Sequence, residues 1–470
     1  MKPKLRVLKN SAALTSVVLL ERGVAFFLPW YVARILGRQD WGYYSTALTF
    51  TMIAAPLAYW GLDQLLPRKV ARNSESIGAI LASAGVFGAL TSALATVIGI
   101  GIVYLLNYPS RVQHLTFVGL FLVLFPRTES VICEAIINGL EKMEWIVAVH
   151  LPLTILRVVV SIFLLSAGYG LEVLFVSLAV YHILVSGIYI VLFQCALPAF
   201  RLRFDRSLMC ELALRAVPFV ITIFIGETFK QIDRVFLSKF WDTDSVGVYT
   251  AGIMPVQIIY LIAPAIMSAL FPGLSRLYAA SKQQFSILVS HLFKLLLIGT
   301  FPIALAIIAF ADLVIPLVFG QEYMFSIPVL RVSALGIVPS LVARLLYRTI
   351  LASDNEHLAV GVSLTNSIVS LILNILLIPR YGVLGASITS AFIEFLGLIQ
   401  NLFYVTRRII IFDVRQALLR PGLCMLMSVC VYFSIAHWST IMAWVVSIGI
   451  FIVILFISRT FTRDDLHFPS

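Results

Sequence analysis

Apolar runs of roughly membrane-spanning length follow one another along almost the whole chain, separated by short polar stretches. At 1.5 Å of rise per residue, a run of about 20 residues crosses a hydrocarbon core of about 30 Å, so each predicts one spanning helix. The pattern places helices near residues 11–34, 43–62, 78–106, 115–139, 146–167 and 172–194, and then starts again. The second series lies near 214–237, 247–272, 286–317, 325–350, 358–378 and 385–405, with two further spans near 421–437 and 439–458. The predicted class is an all-α polytopic membrane protein of about fourteen transmembrane helices.

Composition agrees. Of the 470 residues 60% are apolar and only 12% charged, against about a quarter charged in soluble domains. The basic start (Lys2, Lys4, Arg6, Lys9) leads into a first span interrupted by Glu21 and Arg22 with no small-residue cleavage site, so it reads as a retained helix and not a secretory signal. The net charge of +11 raises the question of nucleic acid, but the basic residues stand at helix ends and form no continuous patch. They instead follow the positive-inside rule. The N-terminus and even-numbered loops hold Arg68, Lys69, Arg72, Arg201, Arg203, Arg206, Arg215, Arg407, Arg408, Arg415 and Arg420, while odd-numbered loops hold few cations. Both termini are therefore expected in the cytoplasm, of a bacterial inner membrane in the simplest case. The five cysteines include no CxxC pair, and neither a disulfide, a metal nor a cofactor is expected.

Landmarks recur at a nearly constant offset, the signature of a duplicated transporter fold. Trp41-Gly42-Tyr43-Tyr44-Ser45 opens the second span and Val246-Gly247-Val248-Tyr249-Thr250 the eighth, an offset of 247 minus 42, or 205. Pro126 in span 4 matches Pro339 in span 10 (offset 213), and Tyr169-Gly170 matches Tyr381-Gly382 (offset 212). Six helices per copy give two lobes of the same orientation, related by a pseudo-two-fold axis along the membrane normal: residues 1–200 and 207–412, with 413–470 an added helix pair and tail. Each Gly-x-Tyr taken alone reads as a turn glycine and an interfacial aromatic. The shared prolines predict bent or broken helices whose freed carbonyls line a cavity.

Charges within spans are costly, about 2.5 to 3.5 kcal/mol at a helix centre on insertion scales, so they are functional candidates. Glu227, Lys230, Asp233 and Arg234 recur at steps of three or four and share a face of span 7; Arg127 and Glu134, seven apart, share a face of span 4. A common polar chamber is expected between them. Arg22, Arg127, Arg157, Lys230, Arg234 and Arg331 come from both halves of the repeat and suit an anionic guest, because arginine binds phosphate oxygens through a planar fork. Glu21, Glu129, Glu227 and Asp233 are the candidates for counter-charge or ion coupling. The plainer alternative is that these groups form interhelix ion pairs that only fix packing. His150 and Lys294 lie nearer the cytoplasmic ends and read as snorkelling residues, and Arg344 and Arg348 as positive-inside anchors at the end of span 10. No GxxxxGK[ST], HExxH or GxSxG pattern occurs, which argues against ATP hydrolysis in cis and against a hydrolase.

Three stretches carry a family resemblance: Ala33-Arg34-Ile35-Leu36-Gly37 running to Trp41-Gly42-Tyr43-Tyr44-Ser45; Asp233-Arg234-Val235-Phe236-Leu237 running to Gly247-Val248-Tyr249; and Gly320-Gln321-Glu322-Tyr323 with Pro379-Arg380-Tyr381-Gly382-Val383-Leu384-Gly385-Ala386. Over roughly residues 10–410 the chain resembles the polysaccharide transporters, O-antigen flippases above all, of the multidrug, oligosaccharidyl-lipid and polysaccharide exporter superfamily. The resemblance implies two six-helix lobes around a central cavity and alternating access. It also implies a flippase carrying undecaprenyl-diphosphate-linked oligosaccharide through a cation-rich lumen, driven by protons or sodium ions. A lipid-linked oligosaccharide, membrane phospholipid and a polysaccharide polymerase are the partners it suggests. Many O-antigen flippases have twelve spans, and the added pair makes a peptidoglycan lipid-precursor flippase an alternative; so is a drug or small-metabolite cation antiporter, whose chamber would be acidic.

Overall fold

Every one of the fourteen apolar windows falls on helix in the computed structural model, which describes residues 3–72, 77–197, 200–409 and 420–457; no strand occurs among them. The chain divides into two compact units, Met1–Gly247 and Val248–Ser470. The first holds α1 (Pro3–Tyr59), α2 (Leu62–Arg72), α3 (Ile77–Leu105), α4 (Ser110–Gly139), α5 (Met143–Ser166), α6 (Glu172–Ala196) and α7 (Arg206–Phe240). It also takes the first turn of α8 (Thr243–Ala280). The second holds the rest of α8, α9 (Lys282–Val318), a 3₁₀ turn at Gln321–Tyr323, α10 (Ser326–Leu335), α11 (Ile337–Ala352), α12 (Glu356–Tyr404), α13 (Arg420–Ile435) and α14 (Thr440–Ile457).

At 57 residues α1 would be about 85 Å long if straight, far more than one membrane crossing. It holds two spans, divided at Gly37, whose φ of 74° and ψ of 175° reverse the chain where a side chain would clash. The 49 residues of α12 divide in the same way at Gly382, with φ 54° and ψ −128°. Its sequence counterpart Gly170 has an ordinary φ. The left-handed residue of the matching corner is Gly168, at φ 88°, two places earlier.

The two prolines behave differently from one another. Span 10 is broken as expected, into α10 and α11 at Gly336. Pro339 is then the third residue of α11, in the first turn, where a missing N–H leaves no intrahelical bond unmade. Span 4 does not break: α4 runs through buried Pro126 as one helix. Of the expected bend or break, a break does not occur here, where α4 packs against α1, α2, α3 and α6.

Helix α3 shows how side chains assign faces. Thr91, Ser92, Ala95 and Gly99 are buried, with Ser92 donating to Thr128 Oγ1 at 3.0 Å, so small residues bring α3 close to α4. Its other face exposes Leu90, Leu94, Val97, Ile98 and Leu105, the last at 82%, as a lipid-facing surface requires. Seven of the described helices are long and apolar enough to cross a membrane, counting α10 with α11 and α12 with the turn that follows it. The chain is a multi-pass membrane protein.

In the second unit, Phe285, Val289 and Phe293 of α9 meet Val342, Leu345, Leu346 and Ile350 of α11 in the core. The added pair α13–α14 packs on α9, with Phe301 and Phe451 rings 4.7 Å apart beside Cys424 and Tyr432.

Candidate functional site

The repeated glycine motif is neither a turn nor an interfacial anchor. Gly42 lies inside α1 and Gly247 inside α8, while Tyr44 and Tyr249 are 5% and 1% exposed. A Cβ on Gly42 would stand 1.9 Å from the Thr243 carbonyl oxygen, and one on Gly247 would stand 2.2 Å from the Arg38 carbonyl oxygen. Each glycine therefore meets the carbonyl four residues before the other, and both pairs keep the offset, 243 minus 38 and 247 minus 42 both giving 205. The two copies of the motif touch each other reciprocally, as elements related by a two-fold do. Arg38 Nε to Asp244 Oδ1 at 3.1 Å fastens the crossing.

Deeper in the first unit, α1, α4, α5, α6 and α7 enclose a polar cluster. On α4, Arg127 donates to Met52 Sδ at 3.1 Å and stands within electrostatic range of Tyr59, Glu134 and Glu227. A directed chain runs beside it: Thr154 Oγ1 donates to Tyr181 Oη at 3.4 Å, Tyr181 Oη donates to His150 Nδ1, and His150 Nε2 donates to Glu134 Oε1 at 3.1 Å. This order satisfies each group with a neutral imidazole, its proton on Nε2 being placed from the partners. His150 is thus a 9%-exposed core residue and does not snorkel, since the carboxylate and the phenol hold it inside. Arg157 lies with its guanidinium 5.8 Å from the Tyr181 ring, and its buried Nε has no hydrogen-bond partner among the described residues. Ser130 gives its proton to the Arg127 carbonyl at 2.9 Å and so accepts from His182 Nδ1 at 2.8 Å.

His150→Leu removes the two hydrogen bonds that link Glu134 and Tyr181, each worth about 0.5 to 3 kcal/mol. The expected outcome is a lower melting temperature of the purified protein in detergent, partly restored by His150→Gln.

The remaining candidates separate. On α7, Lys230 pairs with Glu227 at 3.1 Å, Gln231 donates to the same carboxylate at 3.2 Å, and Arg234 reaches Gln231 Oε1. Asp233 Oδ1 accepts the backbone N–H of Arg234 at 2.8 Å. Glu129, two residues from Arg127, faces elsewhere on α4. Its carboxylate lies against α3, where a Cβ on Gly85 would be 3.0 Å from Oε2, and its buried Oε1 has no partner among the described residues. Arg331 lies in the second unit, held by Asp312 and by the Ile308 carbonyl at 3.4 Å. The side chains of Glu21 and Arg22 lie outside the described residues.

The second unit has a polar cluster that the sequence reading missed. Arg344 and Arg348 of α11, read from the sequence as anchors at a span end, line a cavity of about 310 Å³ with Glu394 and Asn366 of α12. Arg344 Nε donates to Ser340 Oγ at 3.3 Å, and Ser340 is hydrogen-bonded to Glu394. Glu394 stands at the repeat offset from His182, 394 minus 182 giving 212, and each is bonded by a serine of the proline-bearing span. The serine recurs, and the titratable group it bonds recurs as a different residue.

A family model described as "Polysaccharide biosynthesis protein" matches residues 7–278. The chain belongs to the polysaccharide biosynthesis protein family. A second model, "Lipid II flippase MurJ", matches residues 230–456 of this family member. An uncharacterised membrane protein of Methanocaldococcus jannaschii is 23% identical over 415 residues, 83% of this chain and 82% of its own length. The capsular polysaccharide biosynthesis protein CapF of Staphylococcus aureus is 26% identical over 42% of this chain and 50% of its own length. The probable low-salt glycan biosynthesis flippase Agl15 of Haloferax volcanii is 25% identical over 37% of each. The chain thus spans half or less of the length of those last two. In fold it is similar to the inward closed lipid II flippase MurJ, with a TM-score of 0.77 at 16% identity over 97% of this chain and 100% of that one. It is also similar to an inward-facing multidrug resistance transporter of the MOP superfamily, with a TM-score of 0.66 at 14% identity over 83% and 94%.

Proposed function

We propose that this polysaccharide biosynthesis family member is a flippase, and not an enzyme, that moves a lipid-linked oligosaccharide, carried on a polyprenyl diphosphate such as undecaprenyl diphosphate, from the cytoplasmic to the outer leaflet of a cell inner membrane by alternating access. Both termini then face the cytoplasm, and a polysaccharide polymerase is a partner downstream. The reading is supported most by the first-unit cluster, where Arg127 and Arg157 stand at membrane depth and Arg157 keeps an unused donor, Nε. A diphosphate brings acceptor oxygens and negative charge to such donors. Lys230, Arg234 and Arg22 complete the cationic set of the first unit; Arg331 belongs to the second unit, where Asp312 holds it.

Among the acids, Glu129 is the first choice for ion coupling. Glu227 is engaged by Lys230 and Gln231, and Asp233 by the Arg234 backbone. The drug-antiporter alternative asks for a free acidic chamber, whereas in this cluster Glu134 is committed to His150.

Reconstituted in vesicles with a fluorescent polyprenyl-diphosphate glycan, the protein is expected to expose the probe to an outside quencher or glycosidase. A proton or sodium gradient should accelerate this, and Glu129→Gln should remove the gradient dependence. Equal rates with and without every gradient would defeat the coupling assignment, and movement of organic cations instead of the glycan would favour the antiporter.

A further inference from the structure

Two arginines of the second unit, Arg344 and Arg348, stand one helical turn apart on α11 and line the same cavity of about 310 Å³. Neither is placed as an anchor reaching for the end of its span. Arg344 turns inward: its Nε donates at 3.3 Å to Ser340 Oγ, one turn deeper, and its guanidinium lies 5.2 Å from the Tyr260 ring. Arg348 lies 5.7 Å from the Phe271 ring. Both rings belong to α8, so a second helix holds the two guanidinium groups in place.

A guanidinium over a ring uses its face and keeps the N–H groups at its edge free to donate. The terminal nitrogens of Arg344 and all three nitrogens of Arg348 have no hydrogen bond or ion pair among the described residues, and none of them is sealed from its surroundings. Glu394 is the one carboxylate in the lining. It stands at the inner end, hydrogen-bonded to Ser340 and against Gly336, and forms no ion pair with either arginine among the described residues.

Two like charges a turn apart repel, and at membrane depth water screens them poorly, so the pair calls for an anion with several acceptor oxygens. A phosphate group can meet both forks at once. The depth is that of a lipid headgroup. Arg348 and Arg344 stand 352 minus 348 and 352 minus 344 residues before the end of α11, about 6 and 12 Å along its axis, at the end that the charge pattern assigns to the cytoplasm. The volume is at the small end of ligand pockets and suits one headgroup, not a glycan chain. Basic pockets between spanning helices on that side are where anionic headgroups bind.

We infer that Arg344 and Arg348 bind the phosphate group of a lipid in the cytoplasmic leaflet. The site uses neither Arg127 nor Arg157 and does not depend on the flippase reading. A phosphodiester phospholipid and a polyprenyl diphosphate both carry the group, and the experiment tells them apart.

Binding to the full-length protein, purified in a neutral detergent, is read by native mass spectrometry and melting temperature. The probes are dioctanoylphosphatidylglycerol, farnesyl diphosphate and dioctanoylglycerol, the last without phosphate. A phosphate-bearing probe is expected to bind and raise the melting temperature, and dioctanoylglycerol to do neither. Joint Arg344→Gln and Arg348→Gln should weaken that binding at least tenfold. Arg348→Gln alone removes a guanidinium that bonds nothing among the described residues, and so keeps the test open should the double variant not fold. Arg348→Lys keeps the charge without the fork and should fall between. Arg407→Gln removes a cation 5.5 Å from the Phe403 ring, outside the cavity lining, and should bind like the parent. Tighter phosphatidylglycerol assigns the site to bulk phospholipid, and tighter diphosphate to the carried lipid; either supports a lipid-phosphate site. Equal retention of dioctanoylglycerol, unchanged affinity in Arg348→Gln, or as large a loss in Arg407→Gln would each overturn it. Glycan movement in vesicles reports on the flippase reading separately.

Discussion

Arg127→Ala is expected to abolish glycan export while the protein stays inserted and folded. The guanidinium is held by no carboxylate at hydrogen-bond distance among the described residues. Its contact is the Met52 sulfur, a weak acceptor, with Tyr59, Glu134 and Glu227 acting from further away. A charge so placed contributes little to packing and much to a guest that brings its own oxygens. Each charge-assisted hydrogen bond is worth about 1.5 to 3 kcal/mol, so losing one or two from a diphosphate weakens binding by roughly tenfold to twenty-thousandfold. Two readings separate the roles. Arg127→Lys keeps the charge but loses the fork and should retain part of the transport. Arg127→Met keeps the bulk, and a residue that merely filled space would tolerate it, since replacing an internal charge by an apolar group of similar volume is often neutral for stability. Surface glycan measured together with melting temperature settles the matter: export lost at an unchanged melting temperature supports a guest-binding role, and normal export in both Arg127→Ala and Arg127→Met removes it.

Much of the frame was legible in the sequence because a membrane makes one demand above all, an apolar run of the right length. Each of the fourteen runs falls on helix. What escaped depends on neighbours in space. His150 looked like a snorkelling residue and Arg344 and Arg348 like anchors because their distance along the helix from its polar end is short, whereas their surroundings are decided by what lies beside them in space, Tyr181 and Glu134 for the first and a polar cavity for the other two. The correspondence of His182 with Glu394 was hidden because the repeat keeps a polar role and changes the residue. Pro126 breaks no helix for a related reason. Its cost, about 3 kcal/mol in a helix interior, does not break a helix that four neighbours hold.

Gly42→Val is the second substitution of large expected effect, and its partner makes it decisive. The contact is between backbone and backbone: a side chain at Gly42 would stand 1.9 Å from a carbonyl oxygen, which cannot rotate aside as a flexible side chain can. Overpacking against side chains typically costs about 1 to 3 kcal/mol, and against fixed carbonyls the helices themselves must part. In the proposed orientation this crossing closes the outer end of the first unit. A cysteine placed at Asp244, where Arg38 now makes its 3.1 Å contact, should then react faster with an impermeant thiol reagent applied outside when Gly42→Val is present, and transport should fall sharply. Gly247→Val should do the same, because it meets the Arg38 carbonyl in the reciprocal contact. The double variant distinguishes a shared crossing from two unrelated defects. Once the first substitution has parted the helices, the second finds open space, so its added effect on melting temperature and labelling should be small. Strictly additive losses would mean that the two glycines serve separate contacts, and that the recurrence at 205 residues is a coincidence of local packing and not the meeting of two copies of one motif.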